Sequence, residues 1–248
     1  MRFAACILFA CLAPSTSPAG TLADVEIYDR TVGSTLPIYH HRGKLYVAGE
    51  PKHQYEIRVR NSSGRRVLAV TSVDGVNVIT GATAAQQQSG YVLGEAESVT
   101  IEGWRKSLHE VATFYFTSLG DSYAARTGRP ENVGVIGIAL FRERERCCNL
   151  FDESRDSSVQ PDGPATTQEQ SASAPRAERK LGTGHGHREA SAAQYVEFER
   201  ASSTADETLV IYYDSRSNLI AQGVVPRHRS GFGKHRPNPF PHGFVPDP

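Results

Sequence analysis

The sequence has no excess of either charge and no long apolar run. Its 248 residues contain 27 Lys and Arg against 27 Asp and Glu, so the formal net charge is zero. Proteins that hold nucleic acid do so with a positive field, so we expect no nucleic-acid partner. No apolar run approaches the roughly 20 residues that cross a bilayer, so we expect no transmembrane segment.

Cysteine is also scarce, and two of the four cysteines lie in an N-terminal segment that is typical of a secretory signal peptide. Residues 1–23 hold one arginine, an apolar run from Phe3 to Ala13 and then small residues. We expect cleavage near residues 19–23 and a secreted or periplasmic protein. The less favoured alternative is a lipoprotein acylated on Cys11, because Phe9 is bulky where such signals prefer small residues.

The two remaining cysteines, Cys147 and Cys148, are adjacent. An ordinary disulfide needs Cα atoms more than about 4 Å apart, so the two should not bond to each other. We expect them to be free or to link two chains as a homodimer.

Alternating apolar and polar residues predict short strands along most of the chain. Gln54–Asn61, for example, alternates Tyr55, Ile57 and Val59 with charged residues. Further strands are predicted at Arg66–Val73, Tyr91–Leu93, Ser98–Glu102, Glu110–Thr117, Val133–Phe141, Tyr195–Ala201, Thr208–Asp214 and Leu219–Val225. The pattern predicts a mainly β protein, an antiparallel β-sandwich or alternatively a partly open β-barrel.

At most one or two short helices are expected. The spacing of apolar residues in "WRKSLHEVATFYF" allows a helix, and "DSYAARTG" predicts one capped turn closed by Gly128. The Asp74-Gly75 pair within "RVLAVTSVDGVNVITG" predicts a type I′ hairpin turn rather than a ligand site. We expect Ser72 and Asn77 to face each other across that hairpin and to share a hydrogen bond.

Composition divides the rest of the chain. Residues 142–180 and 227–248 are poor in large apolar residues or rich in Pro and Gly, so we predict a disordered linker and a disordered basic tail. Residues 24–141 and 181–226 are then expected to form one discontinuous domain, with the later strands completing the earlier ones.

Histidines are the candidate metal ligands, because imidazole is the ligand that zinc and copper sites favour. The candidates are His40 and His41, together with His185 and His187 in "GTGHGHRE"; His53 is a further residue for an enzymatic site. The competing interpretation is that the Gly-rich stretch is a solvated connector with no cofactor.

A set of aromatic and arginine residues forms the candidate ligand-binding surface. Its members are Trp104, Arg105, Tyr123, Arg126 and Arg129. Exposed rings beside guanidinium groups suit a carbohydrate, peptide or protein partner. The alternative is that Trp104 and Tyr123 cap the core.

Several longer stretches, "SVDGVNVITG", "GWRKS", "DSYAARTGRPENVGVIGIALF", "KLGTGHG", "YVEFERAS" and "YYDSRSNLIAQGV", resemble a group of uncharacterised secreted bacterial proteins. The resemblance implies one fold shared across both sides of the linker. It implies no activity, cofactor or site residue.

No Gly-x-Ser-x-Gly, His-Glu-x-x-His or phosphate-binding loop occurs in the chain. We therefore predict a non-enzymatic binding protein of the bacterial envelope, whose partner is a protein or glycan. One alternative is a metal-dependent or hydrolytic enzyme that uses the histidines. Another is a structural subunit that self-assembles at a sheet edge.

Overall fold

The computed structural model of the protein describes residues 22–145 and 180–226. The predicted signal peptide, Cys147 and Cys148, most of the predicted linker and the predicted tail lie outside these residues. None of the helices within the described residues is long and apolar enough to span a membrane.

The protein is mainly β, as the sequence predicts. The strands are β1 (Ala23–Asp29), β2 (Ser34–Thr35), β3 (Ile38–His41), β4 (Lys44–Gly49), β5 (Gln54–Asn61), β6 (Val67–Val73), β7 (Val76–Asn77), β8 (Tyr91–Leu93), β9 (Ser98–Ile101), β10 (Gly103–Arg105), β11 (Glu110–Ser118), β12 (Val135–Arg142), β13 (Leu181–Ala190) and β14 (Glu207–Ser215). The helices are α1 (Tyr123–Arg126) and α2 (Arg216–Ala221), and a 3₁₀ turn covers Pro130–Asn132.

The strands form two seven-stranded sheets. In the first sheet the order is β10-β11-β5-β1-β2, with β13 on β11 and β9 on β5. In the second the order is β3-β4-β14-β12-β6-β7, with β8 on β6. All pairs are antiparallel except β4 with β14, which run parallel. This arrangement is consistent with the predicted β-sandwich.

The core forms because alternate side chains of each strand point the same way. In β1, Ala23, Val25 and Ile27 are buried while Asp24 and Glu26 between them are partly exposed. The matching side chains of the second sheet, such as Ile136 and Ile138 of β12, join the same apolar cluster. The two sheets thus share one core.

Strands from the two sides of the gap pair with each other. β13 pairs with β11 from Glu110 to Ser118, and β14 lies between β12 and β4. The later strands therefore pair with strands that precede residue 142.

Three local predictions were wrong, and one alternative did not form. Tyr195–Ala201 is no strand, because within the described residues it makes a single isolated bridge, Glu143–Arg200. Leu219–Val225 starts in helix α2, which Ser215 caps by accepting from the Asn218 amide. The helix that the spacing in "WRKSLHEVATFYF" allows does not form, since a turn at Lys106 joins β10 to β11, and the strand predicted at Glu110–Thr117 is β11. Leu181–Ala190 is a strand and not a solvated connector.

The one-turn helix in "DSYAARTG" is confirmed. It is α1, its first turn is capped by the Ser122 side chain, and Gly128 follows with a φ of 76°.

Candidate functional site

The most concentrated set of functional side chains is an aromatic cluster of Trp104 in β10, Tyr123 in α1 and His185 in β13. The ring centroids of Trp104 and Tyr123 are 4.8 Å apart, and those of Tyr123 and His185 are 5.3 Å apart. Trp104 and His185 are nearly parallel, with centroids 6.2 Å apart. Three segments distant in sequence therefore supply one aromatic surface, with Trp104 buried beneath the two partly exposed rings.

Glycines allow the strands to bring these rings together. A Cβ on Gly103, next to Trp104, would lie 1.9 Å from the Ala112 carbonyl oxygen of β11. A Cβ on Gly184, next to His185, would lie 2.2 Å from the Tyr115 ring. Both positions require glycine because a neighbouring group already fills the space.

Cationic side chains surround the aromatic cluster. The Arg129 guanidinium carbon lies 6.0 Å from the Tyr123 ring centroid, and its Nη2 donates to Thr127 Oγ1 at 2.9 Å. Lys106 and Arg126 are exposed, and their positive charges act on His185. We call the cluster of Trp104, Tyr123 and His185 with Lys106, Arg126 and Arg129 the aromatic–cationic face.

The surroundings of His185 in this face favour its neutral imidazole form. Partial burial lowers the pKa of His185, and the positive charge of Lys106 lowers it further. A neutral imidazole offers one donor and one acceptor instead of a fourth positive charge. The face therefore combines ring surfaces, a hydrogen-bonding imidazole and three cations.

The Trp104 indole contributes a second unusual feature. Trp104 is 2% exposed, and its buried Nε1 has no hydrogen-bond partner within the described residues. Its ring packs edge-on against Phe114, with centroids 4.8 Å apart. Of the two interpretations of Trp104, its burial fits the one in which it packs on the core, and it forms the buried floor of the face.

The predicted ligand-binding set is only partly brought together. Trp104, Tyr123, Arg126 and Arg129 belong to the aromatic–cationic face. Arg105 instead donates to the Tyr91 hydroxyl at 3.2 Å and to the Ser191 carbonyl oxygen at 2.9 Å. Sequence reasoning missed Lys106, which lies two residues after Trp104. It placed His185 among metal candidates, because only the register of β13 on β11 brings His185 to Trp104.

Within the described residues, the candidate histidines do not converge on one metal centre. His40 and His41 are successive residues of β3, and His41 contacts the Tyr46 ring. His53 Nδ1 lies 2.8 Å from Asp29 Oδ2, and His187 Nε2 lies 2.7 Å from Glu189 Oε1. Across residues 22–145 and 180–226, no three His, Cys, Asp or Glu side chains are grouped so that they could hold a metal ion.

Asp74 lies in the predicted hairpin turn, and its side chain is fully buried. Asp74 and Gly75 have φ values of 54° and 71°, which confirms a turn with positive φ at both central residues. The Asp74 carboxylate accepts from the Gly134 amide, the Thr183 amide and the Tyr213 hydroxyl. These contacts give Asp74 a structural role within the fold.

Asp74 also covers the outer edge of β13. The Thr183 amide donates to Asp74 Oδ2 at 2.8 Å, and the Leu181 amide donates to Asp214 Oδ1 at 3.2 Å. Amides that already bond to carboxylates are not free to pair with an added strand. Self-assembly at a sheet edge stays a prediction, but these two amides of β13 are already occupied.

The chain matches no protein-family model, no curated protein and no solved structure.

Proposed function

We propose that the protein is a secreted or periplasmic, non-enzymatic binding protein and that its aromatic–cationic face binds an acidic glycan of the bacterial envelope. The observation that carries the proposal is the convergence of Tyr123 and His185 over buried Trp104, with cations at the rim. Sugars bind through apolar ring faces against aromatic side chains and through hydrogen bonds to hydroxyl groups.

The cations favour an acidic ligand over a neutral one. Arg126 and Lys106 are exposed, so they can approach a carboxylate or phosphate of the ligand without first breaking a buried ion pair. Arginine suits this role because its planar guanidinium can contact both oxygens of a carboxylate. A neutral sugar would gain nothing from these charges.

The rings favour a ligand with a flat apolar face. Tyr123 is partly exposed, and its ring rests on Trp104 at a centroid distance of 4.8 Å. A side chain supported in this way loses little conformational freedom when a ligand packs on it. Its contribution should therefore exceed that of a freely rotating tyrosine.

Trp104 makes the proposal directly testable, because it is the single tryptophan of the chain. Oligogalacturonate, an acidic oligosaccharide, should change the intrinsic fluorescence of the full-length protein saturably, whereas a neutral maltooligosaccharide should not. Arg126→Ala should weaken binding about two- to fivefold, since one exposed charge contributes up to about 1 kcal/mol. Tyr123→Ala should weaken binding about tenfold or more.

Arg60→Ala is the matched control, because Arg60 is an exposed arginine on β5. It should bind as the unmodified protein does. The proposal fails if acidic and neutral oligosaccharides bind equally, or if Arg60→Ala weakens binding as much as Arg126→Ala.

A further inference from the structure

A second surface is formed by residues 191–199, which run without a turn, a bend or strand pairing between β13 and Arg200. The segment is fixed at both ends. The Ser191 and Ala193 amides donate to the His109 and Leu108 carbonyl oxygens at 2.7 and 2.8 Å. At the other end, the Glu199 carbonyl oxygen accepts from the Arg144 amide at 2.7 Å. The middle of the segment is thus extended and held from both sides.

The side chains in the middle of the segment divide into two directions. Phe198 packs on the apolar cluster of Leu68, Val70, Ala139 and Phe141 on the outer side of the second sheet. Tyr195 is 90% exposed, and the next residue, Val196, is 49% exposed. One residue anchors the segment, while an aromatic ring and its neighbour project into solvent.

Arg66 supports the backbone beside the exposed ring. Its Nη2 donates to the Glu197 carbonyl oxygen at 3.1 Å, and its Nη1 is bonded to Glu143. The Arg66 guanidinium carbon also lies 5.9 Å from the Phe198 ring centroid. The conformation of the segment is therefore held by contacts two and three residues beyond Tyr195.

We propose that residues 194–197 insert into the substrate cleft of a serine endopeptidase with a hydrophobic primary pocket, with Tyr195 as the residue that fills the pocket. Chymotrypsin-type pockets accept a large apolar side chain. A peptide in extended form can add to an enzyme as a strand, with main-chain hydrogen bonds giving affinity and side-chain pockets giving specificity. The segment has both the extended backbone and the exposed aromatic side chain.

The anchoring favours inhibition over rapid cleavage. A segment already held in its bound conformation loses less entropy on binding than a free peptide does. Both sides of the Tyr195–Val196 bond are attached to the fold of this protein. If the enzyme cut that bond, the fold would therefore keep both new chain ends in place in the cleft. This inference does not depend on the glycan-binding proposal, which concerns other residues.

Inhibition of chymotrypsin, measured with a small chromogenic substrate and the full-length protein, tests the proposal. We expect competitive inhibition that Tyr195→Ala weakens by at least about 30-fold, as for a central aromatic residue of an interface. Tyr195→Lys should lose inhibition of chymotrypsin and gain inhibition of trypsin, whose pocket carries an aspartate. Val32→Ala, at another exposed apolar residue, should change nothing.

Arg66→Ala separates an inhibitor from a simple substrate. Loss of the support at Glu197 should raise the rate of cleavage after residue 195 by about tenfold or more, as detected by mass spectrometry, while circular dichroism stays unchanged. The proposal is overturned if the unmodified protein fails to inhibit or is cleaved rapidly after Tyr195. It is also overturned if Tyr195→Ala inhibits equally well.

Discussion

The hydroxyl of Tyr213 donates a hydrogen bond of 2.5 Å to Oδ1 of Asp74, although 139 positions separate the two residues. The bond joins the β6–β7 hairpin turn to β14, on the other side of the gap in the described chain. Thr183 Oγ1 lies 2.6 Å from the same hydroxyl and 2.6 Å from that of Tyr55, and all four side chains are buried. A continuous polar network thus crosses the core between the two sheets.

Asp74→Asn should lower the free energy of unfolding by about 2 to 4 kcal/mol. In the variant, the asparagine NH₂ would face a backbone N–H that donates to a carboxylate oxygen in the unmodified protein, so two donors would meet. Asparagine tolerates the positive φ of this position, so the variant tests the carboxylate and not the backbone. Urea denaturation measures the change. Asp121→Asn, at an exposed aspartate, should cost less than about 0.5 kcal/mol. An equal effect of both variants would contradict a structural role of the network.

The same carboxyl group should make stability depend on pH. Burial, opposed by the hydrogen bonds from Tyr213 and from backbone amides, raises the pKa of Asp74 above its ordinary value of 3.8. The folded-state pKa then exceeds the unfolded one, so this contribution to stability is full below the unfolded pKa and is lost as pH rises through the folded pKa. The stability of the protein relative to Asp74→Asn should therefore fall as pH rises above about 4. Urea midpoints of both proteins across that range check this, and a difference that grows with pH would contradict it.

The strands that alternate cleanly could be predicted from the sequence, and β5 matches its predicted bounds of Gln54–Asn61. The hairpin at Asp74-Gly75 could be predicted because few residue pairs accept positive φ twice. The expected bond between Ser72 and Asn77 was wrong, since Asn77 Oδ1 accepts from the Ile79 and Thr80 amides instead. These two hydrogen bonds form a turn after Asn77, so strand β7 ends at Asn77, earlier than the apolar pattern predicts.

β13 and the aromatic–cationic face could not be predicted, for one physical reason. Local rules assign Gly-rich stretches to flexible connectors, but here Gly184 and Gly186 make room for Tyr115 and Thr113 of β11. The need for glycine comes from a strand more than 60 positions earlier in the chain. His185 consequently appeared as a metal candidate in a loop, when its surroundings are Trp104 and Tyr123.

The requirement for glycine in β13 can be measured. Gly184→Ala should lower the free energy of unfolding by about 1 to 3 kcal/mol, because its Cβ would meet the Tyr115 ring at 2.2 Å. In a Tyr115→Ala background the same change should cost far less, since the ring is absent. Gly120→Ala is the control, because a Cβ there meets nothing within 4 Å. Additive effects of the Gly184 and Tyr115 substitutions in urea denaturation would show that the ring does not impose the glycine.

The last prediction is that the two described stretches form one cooperative unit even after the chain between them is cut. The reason is that β13 pairs with β11 along most of its length, and β14 lies between β12 and β4, so neither side can bury its strands alone. The network of Asp74, Thr183 and Tyr213 adds a polar link across the same boundary.

A recognition sequence for a specific protease, inserted after Pro161, allows the cut to be made at one place. The fragments should then elute together on a sizing column and melt in a single transition, as the uncut insertion variant does. Asp74→Asn should promote separation of the cut fragments more than Asp121→Asn does. The reason is that Asp74, unlike Asp121, bonds to residues of both fragments. Fragments that separate without denaturant and melt independently would mean that each side folds as its own domain.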